Sequence, residues 1–188
     1  MIYLLFLKKK NKMKKLFLIL LVTVFTYSCN SSQKIEKKLV PIGHEISDED
    51  GSKMPLYGGS MSTVELWENY IAAHNAADLE SIISMNAEED FKVNGPKGEV
   101  IEGSDAHAEF LTKWFTDNSP KWETNYLIAN EYTDEQGKLQ QWVTSGHDLT
   151  LNVEGSEVKL HQVHDAQIVN GKVKMFYVYE RVAPVIEE

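Results

Sequence analysis

Four long stretches of alternating apolar and polar residues, roughly 122–132, 138–151, 156–168 and 172–182, constrain this chain more than any other feature. A period of two puts every second side chain on one face, so each stretch reads as a strand with one covered face. The connections carry Asp134-Glu135-Gln136-Gly137, Glu154-Gly155 and Asn170-Gly171. Asn-Gly between alternating strands is a strong hairpin signal, because both residues tolerate the positive φ that a tight turn needs. The last third of the chain is therefore expected to be an antiparallel meander.

Helical periodicity comes before it. Ser62-Thr63-Val64-Glu65 has the spacing of a capping box, and Val64, Trp67, Ile71 and His74 then fall on one stripe with Tyr70 beside them. Asp78 is placed to cap a second, short helix whose face is Leu79, Ile82, Ile83 and Asn86. Phe91 to Asn94, Gly95-Pro96-Lys97-Gly98 and Glu99 to Ile101 read as strand, turn and strand. Ser104 is placed to cap a third helix, with Ala108, Leu111, Trp114 and Phe115 inward and Asn118-Ser119-Pro120 at its end. Helices first and a meander second make an α+β arrangement, with one strongly curved antiparallel sheet wrapped around three helices.

The N-terminal segment speaks to location. Six lysines between Lys8 and Lys15 precede an apolar run from Leu16 to Tyr27, followed by Ser28-Cys29. A basic start, a short apolar middle and a small residue at the cut are the layout of a secretory signal. A run of twelve residues falls short of the roughly 20 that a bilayer crossing needs. Thr26-Tyr27-Ser28-Cys29 resembles a bacterial lipobox, which implies cleavage before Cys29 and acylation of it; Met13 opens the more typical signal of the two possible starts. The expected organisation is a signal peptide at 1–28, a flexible tether at 29–61, a domain at 62–182 and a tail at 183–188. Low apolar content with Pro41, Gly43, Pro55 and Gly58-Gly59 suggests the tether. The expected location is the cell envelope, on the outer membrane, with the domain in the periplasm or at the surface. Cys29 is the only cysteine, so no disulfide is available and the domain relies on its core. Without residues 1–28 the chain carries 13 basic and 28 acidic residues, a net charge of −15. Such a surface repels phosphate backbones, which argues against nucleic-acid binding.

The order of elements resembles the nuclear transport factor 2-like superfamily, and within it the SnoaL-like and ketosteroid-isomerase-like domains. The carrying words are Asn69-Tyr70-Ile71-Ala72-Ala73-His74-Asn75-Ala76-Ala77-Asp78-Leu79-Glu80-Ser81-Ile82-Ile83, then Ile101-Glu102-Gly103, Gln141-Trp142-Val143, and Val169-Asn170-Gly171-Lys172-Val173 through Tyr177-Val178-Tyr179-Glu180. The resemblance implies a cone-shaped α+β barrel of the cystatin-like type, enclosing an apolar pocket and often pairing through the outer sheet face. In the isomerase branch a tyrosine of the first helix, an aspartate base and a second, protonated acid share the chemistry. Tyr70 takes the tyrosine position, Asn94 or Gly95 the base position and His164 the second acid's. Neither Asn94 nor Gly95 can accept a proton, which argues against steroid isomerisation by that route.

Tyr70 and His164 are thus the candidate catalytic residues. On a strand Leu160, Gln162, His164 and Ala166 share a face, and the resemblance turns that face inward. The plainer role for His164 is a hydrogen bond to Tyr70 or to a neighbouring strand. Trp67, Trp114, Phe115, Trp142, Phe176 and Asn94 are expected to line the pocket, though some of these aromatics simply fill core. Asp148, Asp105 and Glu109 are the acids that could reach its mouth. His161 and His164 lie on opposite strand faces and cannot chelate together. His147 and His161 could meet across strands with Asp165 nearby, but zinc wants three or four convergent ligands; no metal and no cofactor are expected. Val173, Met175, Tyr177 and Tyr179 share the other face of the last strand, a stripe suited to a homodimer interface. The first reading is a lipid-anchored domain binding a small, largely apolar molecule. The others are a SnoaL-type isomerase, cyclase or dehydratase, and a dimeric interaction module without catalysis.

Overall fold

The meander forms as four long strands: β5 (Lys121–Thr133), β6 (Leu139–Val153), β7 (Ser156–Val169) and β8 (Lys172–Val182). The computed structural model describes residues 39–184; Cys29, the signal segment and the end of the tail lie outside them. Ahead of the meander come β1 (Gly43–Ile46), β2 (Lys53–Gly58), α1 (Met61–Ala76), α2 (Leu79–Met85), β3 (Lys92–Asn94), β4 (Val100–Glu102) and α3 (Ser104–Asn118). The eight strands join in one sheet in the order β1-β2-β5-β6-β7-β8-β3-β4. Every pairing is antiparallel except that of β3 with β8. The sheet stays open, a curved wall rather than a closed barrel. No helix among the described residues is long and apolar enough to cross a membrane.

Part of the expected tether belongs to the sheet. Residues 43–58 fold as a hairpin that joins β5 through Tyr57 opposite Glu131 and Gly58 opposite Asn130. Its strands are short, β1 is exposed throughout and β2 alternates only through the half-buried Met54 and Leu56, too brief a pattern to mark a strand. Order thus begins before Ser62, and the helix start shifts as well. Ser60 caps α1, its Oγ accepting from the Ser62 amide at 3.2 Å. Asp78 caps α2 as its position suggested, accepting from the Ser81 amide. At α3 the cap is Gly103, at φ 90°, and the Ser104 hydroxyl instead accepts from Asn86 Nδ2 at 2.8 Å.

Two bulges bend the wall. In β5, Thr124 lies opposite His147 and Tyr126 opposite Gly146, leaving Asn125 as the extra residue. In β8, Val173 lies opposite Ile168 and Met175 opposite Gln167, leaving Lys174 as the extra residue. Each extra residue reverses which side chains face inward. Trp122 and Thr124 face inward before the first bulge, and Leu127 and Ala129 after it. Val173 is therefore fully buried on the inner side of β8 and does not belong with Met175, Tyr177 and Tyr179 outside.

α1 lies across the inner face. Val64, Trp67, Tyr70, Ile71 and His74 are all buried, and the Trp67 indole N–H donates to Ser145 Oγ on β6 at 2.8 Å. The main core joins Trp67, Tyr70, Ile82, Phe91, Leu111, Val143, Ala166 and Phe176. A second cluster, Leu149, Leu151 and Leu160, fills the end near α3; Trp114 and Trp122 pack against both. Trp67 has no exposed surface and binds helix to sheet through both ring contacts and a hydrogen bond. Trp67→Ala should cost about 3–5 kcal/mol in urea denaturation; a loss below about 1 kcal/mol would show that α1 is held elsewhere.

Candidate functional site

The interior of the curved sheet is an aromatic and imidazole cluster. Trp67 stacks on Tyr70 with ring centroids 5.0 Å apart and meets Phe176 edge-on at 5.4 Å. His164 lies 5.9 Å from Trp67, 6.2 Å from Phe176 and 4.7 Å from His147. His107, from the first turns of α3, packs 6.0 Å from Phe176, 5.2 Å from Phe91 and 5.8 Å from His74. Four histidines thus line one interior. Helix periodicity brings His74 and His107 there, and strand alternation brings His147 and His164.

Their polar atoms are engaged unevenly. His74 Nδ1 donates to the Tyr70 carbonyl at 2.8 Å, one turn back along α1. His147 bridges Thr124 Oγ1 at 3.1 Å and Ser145 Oγ at 2.7 Å. His164 Nε2 is 3.0 Å from Gln162 Oε1. Nδ1 of His107 and Nδ1 of His164 are buried without a hydrogen-bond partner; the two residues are 2% and 4% exposed. Burial pushes all four imidazoles toward the neutral form: His74 to about 4, His147 to about 4, His107 to about 3 and His164 well below its usual range. The neighbouring imidazoles add to this for His107 and His164.

The sequence-derived candidates divide. Tyr70, Trp67, His164 and Phe176 meet in the interior, with Trp114 and Phe115 half-buried at its α3 side. Tyr70 is not a free donor, because its hydroxyl gives its hydrogen to Asn86 Oδ1 at 2.8 Å, and burial raises its pKa well above normal. Trp142 is not in the pocket. It pairs with Asn130 and Gln167, while its neighbour Val143 is the buried one, so alternation sets Trp142 on the outer face. Asn94 also leaves the pocket: Val93 turns inward, and Asn94 pairs with Tyr177 on the outer side. Asp105 and Glu109 are exposed on α3. Asp148 pairs with His161 at 2.5 Å on the outer face, where this partner holds its carboxyl below the usual range. His147 and His161 do not meet, since His147 faces inward. Among the described residues no group of three or more His, Cys, Asp or Glu side chains is placed to hold a metal.

His107 and His147 were not among the expected pocket residues. The spacing of His107 from Leu111, four residues on, was the available signal for one; the shared parity of His147 with Val143, Leu149 and Leu151 was the signal for the other. Two open grooves lie outside the cone. One of about 360 Å³ lies where the start of α1 meets Gln141, Ile168 and Gly171, and one of about 500 Å³ follows α3 past Phe110 and Trp114.

The buried imidazoles make stability depend on pH. Unfolded, each histidine takes up a proton below about 6.5; folded, His74 and His147 stay neutral down to about 4 and His107 to about 3. Stability is therefore full above about pH 6.5 and falls as the pH drops toward 4. The urea midpoint should decrease steeply between pH 7 and pH 5, and an unchanged midpoint would mean that these rings are not neutral and buried.

No protein-family model matches the sequence, and no curated protein does either. Solved structures do resemble it. A candidate ketosteroid isomerase from Kribbella flavida superposes with a TM-score of 0.55 at 17% identity, covering 70% of this chain and 86% of its own. An LEH-like epoxide hydrolase from M. tuberculosis gives 0.53 at 12% identity, covering 65% and 84%. Bal32a, from a soil-derived mobile gene cassette, gives 0.53 at 14%, covering 64% and 89%. At these identities the likeness is one of backbone shape, and the fold of this chain is the open, cone-like α+β fold of the nuclear transport factor 2-like proteins.

Proposed function

We propose that the domain is a membrane-tethered binding module that holds a small, largely apolar molecule in the cone, beside Phe176 and within reach of His107 and His164. One observation carries this reading: two buried imidazole nitrogens, on opposite elements, both belong to rings packed on Phe176 and both lack a partner. A buried polar atom left unpaired costs about 1–3 kcal/mol. A molecule that supplies the missing hydrogen bonds recovers that cost, while its apolar body meets Trp67 and Phe176.

The same geometry favours binding over proton transfer. A general acid or base works best when its pKa lies near the working pH. The imidazoles are held far below that, the Tyr70 hydroxyl is held above it and already donates, and the acids considered lie at the surface. A SnoaL-type isomerase, cyclase or dehydratase is the second reading, and it would have to work through His164 alone. Pairing of two copies through the outer sheet face is supported by Tyr126, Ile128 and Tyr179, which are 44%, 52% and 59% exposed.

The tether rests on the sequence around Cys29. Cys29→Ala should move the protein from the membrane pellet to the soluble fraction; a variant that still sediments with membranes would refute lipidation. For the cone, native mass spectrometry of the full chain purified from its own cells should show a small-molecule adduct that is lost from a His107→Phe/His164→Phe double variant. An adduct-free wild-type protein, or an adduct that survives both substitutions, would refute binding in the cone. The same spectra count subunits, and a monomer throughout would refute the pairing.

A further inference from the structure

The side-chain amide of Gln162 has one possible orientation. Trp122 Nε1 lies 2.9 Å from its Oε1, and an indole N–H only donates. Glu180 Oε2 lies 2.8 Å from its Nε2, and a carboxylate only accepts. Turning the amide over would set two N–H groups against each other at one end and two oxygens at the other. The oxygen therefore faces Trp122, and this same oxygen lies 3.0 Å from His164 Nε2. His164 must then carry its ring hydrogen on Nε2. The ring is neutral, so Nδ1 holds a lone pair and no hydrogen, and it is this atom that is buried without a partner.

The other polar groups nearby point the same way. Trp67 spends its N–H on Ser145, Trp122 spends its own on Gln162, and Tyr70 spends its hydroxyl hydrogen on Asn86. What the Tyr70 oxygen still offers is a lone pair. The sole arginine, Arg181, pairs with His161 on the outer face. The groups touching His164 thus accept hydrogen bonds and have few left to give; the ring hydrogen that no side chain takes belongs to His107, which packs on Phe176 from α3.

Resting on the binding reading above, we propose that the cone selects molecules that donate a hydrogen bond to His164 Nδ1, such as alcohols, phenols and N–H compounds, over ketones, ethers and carboxylates of the same shape. A ketone or ether oxygen would set one lone pair against another. A carboxylate would also lose its hydration with no cation to replace it. This polarity is the reverse of a wall that donates to a substrate's carbonyl oxygen.

The test is a set of long-range proton–nitrogen correlation spectra on the full chain labelled with ¹⁵N-histidine. Before any addition, His164 should be protonated at Nε2 and bare at Nδ1; a protonated Nδ1 overturns the selectivity without reference to any ligand. Phenol, anisole and benzoate are then titrated. Phenol should shift the His164 Nδ1 resonance toward the hydrogen-bonded range and bind about tenfold more tightly than anisole, with benzoate weaker still. His164→Phe, which keeps a ring in place, should bring the phenol-to-anisole ratio to about one. Equal affinities in the wild type overturn the donor selectivity and leave the binding reading standing. No response of any cone histidine to either neutral probe overturns both.

Discussion

The two extra residues, Asn125 in β5 and Lys174 in β8, are the constraint on which the rest of this structure depends. A strand of thirteen residues such as β5 cannot wrap a helix and keep one apolar face unless it bends, and a bulge supplies bend and twist together. The change in parity matters as much as the bend. Trp122 and Thr124 stand on one side of the Asn125 bulge and Leu127 and Ala129 on the other, yet all four face inward. Were the strand regular, Trp122 and Thr124 would point outward. His147 would then lose Thr124 from its Nδ1, and Gln162 would lose the indole that fixes its amide. The bulge is therefore what assembles the hydrogen bonds of the interior. In β8 the same device lets Val173 pack inward beside Asn86, at an isolated bridge, while Phe176 and Val178 still face α1.

With that geometry set, no Asp, Glu, Lys or Arg is buried in the interior, and the exposed Glu180 carboxylate reaches it only through Gln162. Large rings with one polar atom each pack there, and short side chains answer those atoms: Ser145 for Trp67, Asn86 for Tyr70, Gln162 for Trp122. Each such bond contributes only about 1 kcal/mol net, but leaving its members unpaired would cost more, so the network specifies how the rings sit. Histidine suits this setting because it stays neutral when desolvated and can donate from one nitrogen while accepting at the other. That same versatility leaves His164 with an acceptor on the inner side once Gln162 has taken its donor.

The alternation of β5 to β8 was legible in the sequence to within about two residues at each end, as were the Asn170-Gly171 turn and the buried stripe of α1. Parity was not, wherever a bulge intervened. Nothing in Lys172-Val173-Lys174-Met175 announces that Lys174 is extra, so alternation alone puts Val173 on the wrong face. Trp142 had a readable signal, since Val143, Leu149 and Leu151 share the opposite parity; its size argued for burial, and its position in the strand decided otherwise. The hairpin at 43–58 was hidden because it joins the sheet through two residue pairs at its end and buries little. Within the cone, alternation groups His164 with Leu160, Gln162 and Ala166 and helical spacing sets Tyr70 beside the α1 stripe, while the family resemblance is what turns both inward. The direction of their hydrogen bonds could not be read, because it is set by Asn86 and Gln162 on other elements.

A one-residue change of face also separates the ionisable pairs of this sheet from its neutral interior. The groups best suited to proton transfer all stand outside. His161 and Asp148 form a close pair on the outer surface, and Asp165, hydrogen-bonded to Thr144, has its pKa raised by burial there. The adjacent inward positions are His147, Gln162, His164 and Ala166, none of them charged. The neighbours of His164 on the inner side are Trp67, Phe176 and another neutral imidazole, so nothing there stabilises an imidazolium if one were to form. Burial is the main reason the basicity of His164 falls so far, and a proton taken up there would also sit beside His147 and His74 without a counter-charge. Carboxylates inside would have made this interior a place to move protons. With amides and hydroxyls in their stead, the interior has no ionised group to give or take one, which is a ground on which the binding proposal rests.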